Sequence, residues 1–347
     1  MGRLTRSDII AAYELLLGRA PETEDTVDAH LKHKSVAEFL KTLVTSPEFE
    51  SHWQRSPFFF FNAKIDAYAI IRAHENPSRQ PKPGHIVNFL GVAMNLDFMP
   101  HLKHADGRVE GVPIPANWHA DMAEFAGALR AVDLARKRFT MIELGCGWGC
   151  WMNNTGVAAQ RRGLAVHLIG VEGDQGHLAF AREALATNGI AADEYTLHRG
   201  IAGARNGTAL FPRQPRSGHD WGLEARPIRP RDARKWALRL NRYDELPVLG
   251  LDAIIGDEPR IDLLHIDIQG AEAVLIRDCL ETLNAKVAYI VVGTHSRAIE
   301  GYLMTTLLNA GWALEIERPA IMEIKRRGPQ TSVDGVQGWR NPRLTAA

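Results

Sequence analysis

Residues 139-FTMIELGCGWGCW-151 join an apolar run to a loop with glycines at alternate positions, Gly145, Gly147 and Gly149. An apolar strand followed by a glycine-rich turn and a helix is typical of the first unit of a nucleotide-binding α/β sheet. Glycine lets the backbone approach a ligand closely because it has no Cβ. The loop therefore predicts a nucleotide-like cofactor at the end of this strand.

Segments typical of strands and helices alternate on both sides of this loop. Strands are predicted at 139–144, 166–172, 195–200, 261–267 and 287–293, with two more near 313–317 and 335–339. Helices are predicted at 120–137, 150–162, 176–187, 271–284 and 297–310. Strands that alternate with helices predict a doubly wound, Rossmann-like α/β sheet.

The remainder of the 347-residue chain indicates the domain organisation. Residues 1–55 contain short amphipathic helices, one opened by the capping-box pattern Ser35 to Glu38, and predict a small all-helical domain. Residues 56–115 hold an aromatic run and several prolines, and we expect a connecting segment that packs onto the main domain. Residues 116–347 are predicted to form the α/β domain.

Composition is that of an ordinary globular protein, with 45% hydrophobic and 24% charged residues and a formal net charge of zero. The net charge of the chain therefore predicts no overall electrostatic attraction to nucleic acid or to an acidic membrane. No apolar run approaches the roughly 20 residues of a membrane span, and the first residues lack the apolar core of a signal peptide. Three cysteines make no disulfide framework in a chain of this size. We expect a cytoplasmic protein without a membrane span.

The spacing of the glycines favours one cofactor over another. The dinucleotide fingerprint G-x-G-x-x-G needs a third glycine at position 150, where this chain has Cys150. The chain instead reads Glu-x-Gly-x-Gly-x-Gly from Glu143 to Gly149, and the second predicted strand ends at Glu172. A carboxylate there can accept hydrogen bonds from two ribose hydroxyls. The pattern favours S-adenosylmethionine, while an NAD-dependent oxidoreductase acting on a nucleotide sugar stays an alternative.

Five blocks between about 110 and 345 resemble the FkbM-type S-adenosylmethionine-dependent methyltransferases. They are 143-ELGCGWG-149, 170-GVEGD-174, 261-IDLLHIDIQGAE-272, 292-VGTHS-296 and 334-DGVQGWRNPRL-344. In the third, Asp267, Gly270 and Glu272 match the family pattern, whereas His265 and Gln269 replace its Lys and Glu.

This resemblance implies a class I methyltransferase fold, S-adenosylmethionine as cofactor and a hydroxyl of a sugar, glycan or related natural product as acceptor. Together with the loop pattern, it gives a set of residues expected to bind the cofactor: Glu143, Gly145, Gly147, Gly149, Glu172 and Asp174.

The N-terminal domain resembles a different family. The segments 12-AYELLLGRAPETED-25 and 44-VTSPEFESH-52 are similar to the small helical module related to phycobilisome linkers, which is attached to various glycan-modifying enzymes. The resemblance implies a module that contacts a protein partner or packs on the catalytic domain. Joined to a degenerate nucleotide fold, it would instead make a non-catalytic scaffold protein, the second alternative.

Three titratable residues follow the fourth and fifth strands of the predicted sheet. Asp267 ends one strand, Glu272 lies in the next helical turn, and His295 follows the fifth strand. Sites in open α/β sheets lie beyond the carboxyl ends of the strands, so we expect all three to be catalytic, with Asp267 as the base or the orienter of a base. Helix capping explains the carboxylates equally well. They could also hold a metal ion, but no tight ligand motif appears, and no metal is predicted.

Residues 205–242 hold nine arginines and one lysine against three acids, a local net charge of +7. As an insertion between the third and fourth strands, this segment could cover the substrate mouth, although a solvated flap explains its charge more simply. Four of its arginines could clamp the carboxylate or phosphate of an acidic acceptor: Arg226, Arg229, Arg231 and Arg234. Trp221 and Trp236 could stack on bases, but no recognition motif accompanies them. We predict a small-molecule or glycan acceptor and no nucleic acid.

Overall fold

The computed structural model describes residues 4–49, 61–227, 241–326 and 328–345. The chain divides into two compact units, Met1–Phe59 and Phe60–Ala347. This division falls close to the predicted end of the helical domain at residue 55. The predicted connecting segment forms part of the second unit, where Phe89 is fully buried and packs edge-on against Phe125 with ring centroids 5.2 Å apart.

The first unit is helical where it is described. Its helices are Arg6–Leu17 (α1), Glu24–His30 (α2) and Val36–Val44 (α3). Ser35 caps α3 as predicted, because its hydroxyl accepts a hydrogen bond from the Glu38 N–H at 3.1 Å. Gly18 ends α1 in the left-handed conformation with φ 68°, which a glycine adopts without strain. Ile9 and Phe39 are fully buried between the helices.

The second unit alternates strands and helices. Its described helices are Ala67–Ala73 (α4), Met122–Leu134 (α5), Cys150–Arg161 (α6), Gln175–Thr187 (α7), Leu251–Ile255 (α8), Glu272–Asp278 (α9), Leu280–Lys286 (α10), Arg297–Asn309 (α11) and Pro342–Thr345 (α12). Its described strands are Asn62–Ala63 (β1), His85–Val87 (β2), Ala93–Asn95 (β3), Arg138–Leu144 (β4), Ala165–Glu172 (β5), Tyr195–Arg199 (β6), Ile201–Gly203 (β7), Gly207–Pro212 (β8), Arg226–Pro227 (β9), Tyr243–Gly250 (β10), Leu263–Ile266 (β11), Tyr289–Thr294 (β12), Ala313–Arg318 (β13), Ile321–Lys325 (β14), Gly328–Val333 (β15) and Gly335–Arg340 (β16).

Eight strands form the central sheet in the order β1-β13-β16-β12-β11-β4-β5-β6. The five strands from β12 to β6 are parallel to one another, whereas β16 runs antiparallel between β12 and β13. On one side β4 pairs with β5, the next strand of the sheet along the chain, and on the other side it pairs with β11. The strand order therefore reverses beside β4. The predicted doubly wound Rossmann-like sheet is confirmed, and its switch point lies between β4 and β11.

Helices cover both faces of this sheet. On β4, Phe139 and Met141 pack in the layer that contains α5 and α6, and Ile142 and Leu144 pack in the layer that contains α9 to α11. This alternation follows from the two-residue period of a strand and explains why parallel strands buried on both faces read as apolar runs. Within the described residues, no helix combines the length and apolarity needed to cross a membrane.

The structure differs from the sequence predictions in three places. The helix expected at 271–284 is broken at Cys279 into α9 and α10. The arginine-rich insertion contributes β8 and β9 to a second sheet, ordered β7-β10-β8-β9, and β14 pairs with β15 as a hairpin before β16. Prolines at positions 212, 227 and 329 lie in β8, β9 and β15, which weakens the sequence signal of these three strands. Arg229, Arg231, Arg234 and Trp236 of the insertion lie outside the described residues.

We predict that Trp339→Ala lowers the free energy of unfolding by about 3–5 kcal/mol, because a large, fully buried ring of β16 is replaced by a cavity. Urea denaturation followed by circular dichroism measures the loss. Leu308→Ala is the control, since its side chain is 53% exposed and its removal should change stability by less than about 0.5 kcal/mol. Equal stability of the two variants would contradict the assigned core.

Candidate active site

A cavity of about 720 Å³ opens at the carboxyl ends of β4, β5 and β11, beside the switch point of the sheet. The glycine loop and Glu172 line one part of it, and Asp267 at the end of β11 lines its middle. The remaining wall comes from aromatic and histidine side chains: Trp118 and His119 before α5, Trp148 and Trp151 before and at the start of α6, and His265 on β11.

The glycines of the loop are required by its shape. Gly145, Gly147 and Gly149 all have positive φ, at 78°, 52° and 72°. A Cβ on Gly145 would lie 2.1 Å from the carbonyl oxygen of Asp267, and one on Gly147 would lie 3.2 Å from the Trp221 ring. The loop therefore passes directly under Asp267 and leaves its backbone exposed to the cavity at Gly145 and Gly147.

Glu143 fixes the helix that follows the loop. Its carboxylate accepts hydrogen bonds from the backbone N–H groups of Trp151 at 3.2 Å and Met152 at 2.9 Å, in the first turn of α6. Burial raises the pKa of Glu143 to about 7. Glu143 lines the cavity, but its oxygens are engaged by the protein itself.

Glu172 stands at the end of β5, as the sequence predicts. Its carboxylate accepts hydrogen bonds from the N–H groups of Gly147 at 2.9 Å and Asp174 at 2.8 Å, and burial raises its pKa. A carboxylate offers about four lone-pair sites, so acceptor capacity remains for a hydroxyl group of a ligand. The Phe211 ring packs against Gly173, where a Cβ would be only 2.6 Å away, and forms the adjacent apolar wall.

Gly149 and Asp174, both predicted to bind the cofactor, lie beside the described lining of the cavity. Gly149 is the N-cap position of α6. Asp174 caps α7, because its carboxylate accepts hydrogen bonds from the N–H groups of Gly176 at 2.8 Å and His177 at 2.9 Å. Both residues therefore have a structural role at the N-terminus of a helix.

Residues 214–222 of the insertion form a strap over the loop. Ser217 donates a hydrogen bond to Asp174 at 3.0 Å, and the Gly218 N–H donates one to His177 Nε2 at 3.2 Å. The Trp221 ring stacks on the His177 ring with centroids 4.0 Å apart and planes at 1°. Burial lowers the pKa of His177, which favours the neutral ring that this hydrogen bond requires. The described part of the insertion thus lines the cavity with Trp221, Leu223, Glu224 and Ala225.

The three predicted catalytic residues lie together. His295 Nε2 is 3.3 Å from Asp267 Oδ1, and His295 Nδ1 is 3.0 Å from Glu272 Oε1. Glu272 is completely buried and accepts hydrogen bonds from the N–H groups of Ile268 and Gly270. Gln269 donates a hydrogen bond to Asp267 Oδ1 at 3.1 Å. Of the three, Asp267 is the one found in the described lining of the cavity, and the other two stand behind it.

Charge within this group favours an imidazolium between two carboxylates. Burial opposes the charge on His295, but Asp267 and Glu272 together outweigh it and raise the pKa of His295 to about 10. Burial also opposes ionisation of Asp267, yet contact with His295 and the other neighbours lowers its pKa. Within the described residues, no group of three His, Cys, Asp or Glu side chains is arranged to hold a metal ion.

Sequence reasoning did not identify Glu124 and His119 as residues of the cavity wall. His265 Nε2 lies 3.0 Å from Glu124 Oε1, and the His265 ring stacks on Trp151 at 5.3 Å. Burial opposes its charge, but Glu124 outweighs burial, and the pKa of His265 is raised. His119 also belongs to this wall. Glu124 and His119 follow no motif, because tertiary packing alone brings the start of α5 to the ends of β4 and β11.

Comparison with known proteins gives one strong sequence match. A protein of Jannaschia sp. (strain CCS1) named "Putative methyltransferase" is 46% identical over 277 residues, which cover 79% of this chain and 98% of that protein. No protein-family model matches the chain.

Solved structures resemble the chain only weakly. Methyltransferase FkbM from Methylobacillus flagellatus KT aligns with 62% of this chain and 54% of its own, with a TM-score of 0.37 and 14% identity. Precorrin-6y C5,15-methyltransferase from Geobacter metallireducens GS-15 aligns with 61% of this chain and 86% of its own, with a TM-score of 0.34 and 11% identity. These scores are too low to bear on function.

A doubly wound sheet with a reversed β16 between β12 and β13, and a glycine loop facing an acid at the end of β5, define a class I methyltransferase. The chain belongs to the methyltransferase family of the Jannaschia protein. Family membership sets aside the NAD-dependent oxidoreductase and makes S-adenosylmethionine the methyl donor. The site fits this donor: Glu172 has lone pairs for the ribose hydroxyls, the loop is free of Cβ atoms at Gly145 and Gly147, and Phe211 supplies an apolar wall.

We predict that Glu172→Gln weakens S-adenosylhomocysteine binding about 10- to 100-fold, because an amide cannot accept from both the loop and the ribose as a carboxylate does. Isothermal titration calorimetry measures the dissociation constant. Glu281→Gln, at an exposed position, is the control and should bind as the wild type does. Unchanged affinity in Glu172→Gln would exclude Glu172 from the cofactor site.

The raised pKa of His295 predicts a pH-dependent contribution to stability. A charged His295 stabilises the fold fully below its unfolded pKa of about 6.5, and the contribution is lost as pH rises through about 10. The free energy of unfolding of the wild type should therefore exceed that of His295→Gln by a few kcal/mol near pH 6. This difference should shrink toward pH 10. Urea denaturation across this range tests it, with His104→Gln as a control at an exposed histidine. A gap independent of pH would contradict the paired imidazolium.

Proposed function

We propose that this methyltransferase transfers the methyl group to a hydroxyl of a sugar, glycan or related natural product. One observation carries the proposal: the Asp267 carboxylate faces the cavity at the end of β11, held from behind by His295. A fixed carboxylate beside a cofactor loop can accept a hydrogen bond from an acceptor hydroxyl and align its oxygen for in-line displacement.

Each of the predicted catalytic residues has a distinct task in this proposal. When bound, S-adenosylmethionine supplies a methyl group on a positively charged sulfur. Asp267 orients the hydroxyl, and its lowered pKa keeps it ionised. His295 and Glu272 hold the Asp267 carboxylate in position through the contacts of 3.3 Å and 3.0 Å. Glu172 holds the ribose end, so the reacting centre lies between Glu172 and the aromatic wall.

The nature of the acceptor is supported by the aromatic and polar side chains of the cavity wall. Trp118 and Trp148 present rings stacked 6.5 Å apart, and the paired Glu124 and His265 add polar groups beside them. Aromatic rings that bind apolar ring faces next to hydrogen-bonding groups suit a sugar or a similar hydroxylated ring. An acidic group on the acceptor would meet the basic insertion, where Arg226 lies over the Tyr243 ring at 5.7 Å.

Several further features belong to the same proposal. A cavity of about 720 Å³ and a net charge of zero favour a small acceptor over a nucleic acid. We propose FkbM-type membership within the methyltransferases, a cytoplasmic location, and a protein contact for the linker-like N-terminal module. These rest on the sequence blocks and on composition.

Calorimetric titration with S-adenosylmethionine, S-adenosylhomocysteine and NAD is the first test. Binding of the two adenosyl ligands and not of NAD is expected. Methyl transfer is then measured as S-adenosylhomocysteine release with a panel of sugars, sugar phosphates, uronic acids and RNA oligonucleotides. Release with a hydroxylated sugar supports the proposal. Transfer to RNA alone would overturn the proposed acceptor, and cofactor binding without any transfer would favour the scaffold alternative.

We predict that Asp267→Asn lowers kcat by about 10²- to 10⁴-fold while the dissociation constant of S-adenosylhomocysteine changes little, because the acceptor hydroxyl loses its anionic partner. Steady-state kinetics with the accepted sugar measure kcat. The exposed Asp193→Asn serves as the matched control and should retain wild-type turnover. A full-activity Asp267→Asn enzyme would remove this carboxylate from the mechanism.

A further inference from the structure

We propose that His119 is the general base of this enzyme and that its Nδ1 takes the proton of the acceptor hydroxyl. This inference rests on the proposed function, because it concerns the hydroxyl that Asp267 orients. The inference goes beyond the proposed function because it assigns the proton to a residue that no sequence motif marks.

The position of His119 carries the first part of the argument. Its ring lines the same cavity as Asp267 and packs edge-on against Trp148, with centroids 5.9 Å apart. Trp151 lies against both His119, at 6.0 Å, and His265, at 5.3 Å. His265 precedes Asp267 by two residues on the chain, so Trp151 links the His119 ring to the end of β11, where Asp267 lines the cavity.

The ring is held so that one nitrogen stays available. His119 Nε2 contacts Cys150 Sγ at 2.5 Å, and the backbone N–H of His119 donates a hydrogen bond to Asn117 Oδ1 at 2.9 Å. Nδ1 makes no hydrogen bond to the described residues. Burial keeps the Cys150 thiol protonated by raising its pKa well above the ordinary value. A general base in this position must carry its ring proton on Nε2, directed at this sulfur, which leaves the lone pair of Nδ1 for an acceptor proton.

The other titratable groups of the cavity are poorer proton acceptors. Asp267 has a lowered pKa, His295 is an imidazolium near neutral pH, and His265 is paired with Glu124. The groups whose charges act on His119 are Glu124, His265 and Asp267. Burial outweighs the two carboxylates, so the pKa of His119 is lowered and its ring is neutral at physiological pH. A neutral imidazole is the protonation state that a general base needs.

The step balances without any further reactant. The acceptor oxygen forms a bond to the methyl carbon while the carbon–sulfur bond breaks, and the electron pair of that bond stays on sulfur. The hydroxyl proton passes to Nδ1 of His119, whose charge then faces the Asp267 carboxylate across the cavity. Release of the proton to solvent restores the neutral ring for the next turnover.

The first test is kinetic and uses the full-length enzyme with the sugar accepted in the panel. His119→Gln should lower kcat by about 10²- to 10⁴-fold while S-adenosylhomocysteine binding is retained. The wild-type profile of log kcat/KM should fall on the acid side with the pKa of His119, and this limb should be absent from the variant. His104→Gln, at an exposed histidine, is the control. A variant within twofold of wild-type kcat, or one that keeps the acid limb, would overturn the proposal.

The second test does not need an acceptor. Nitrogen-15 NMR of the histidine rings, assigned by comparison with His119→Gln, reports both protonation and tautomer. A neutral His119 ring with its proton on Nε2 at pH 7 supports the proposal, and a charged ring or a proton on Nδ1 overturns it. Wild-type enzyme that methylates nothing in the panel would instead refute the proposed function, which separates the two failures.

Discussion

The close approach of Gly145 to the carbonyl oxygen of Asp267 is the constraint on which the site depends. A Cβ at position 145 would lie 2.1 Å from that oxygen, so only a glycine lets the loop after β4 pass beneath the end of β11. The Asp267 N–H also donates a hydrogen bond to the Leu144 carbonyl at 3.1 Å. The glycine loop and the Asp267 carboxylate are therefore joined at one point, the place where the strand order of the sheet reverses.

Charge is arranged around this point in pairs. His295 lies between Asp267 and Glu272, and His265 is paired with Glu124, so both imidazoles are stabilised as cations by adjacent carboxylates. In each pair the charge of the imidazole is compensated by a carboxylate, whereas an isolated buried charge would be costly. None of the ion pairs among the described residues involves His119, and burial lowers its pKa, so its ring is neutral. The protonation states of these three histidines therefore differ because their neighbouring side chains differ.

Much of the fold and of the site could be predicted from sequence, because the apolar run 139–144 and the glycine loop after it are local signals. Asp267, Glu272 and His295 could be placed together from their positions after neighbouring strands. The tasks of Glu143 and Asp174 could not, since both carboxylates are occupied by backbone N–H groups of helices, and that depends on how the helices are seated. His119 and Glu124 reach the cavity through tertiary packing before and along α5, which no spacing in the chain encodes.

The central claim is that one cavity places the cofactor between Glu172 and the acceptor side of Asp267. A crystal structure of the enzyme with S-adenosylhomocysteine tests it most directly. We expect the ribose hydroxyls within hydrogen-bonding distance of Glu172 and the sulfur in the cavity between Asp267 and His119. An adenosyl group bound elsewhere, or a sulfur on the far side of the glycine loop from Asp267, would contradict the account.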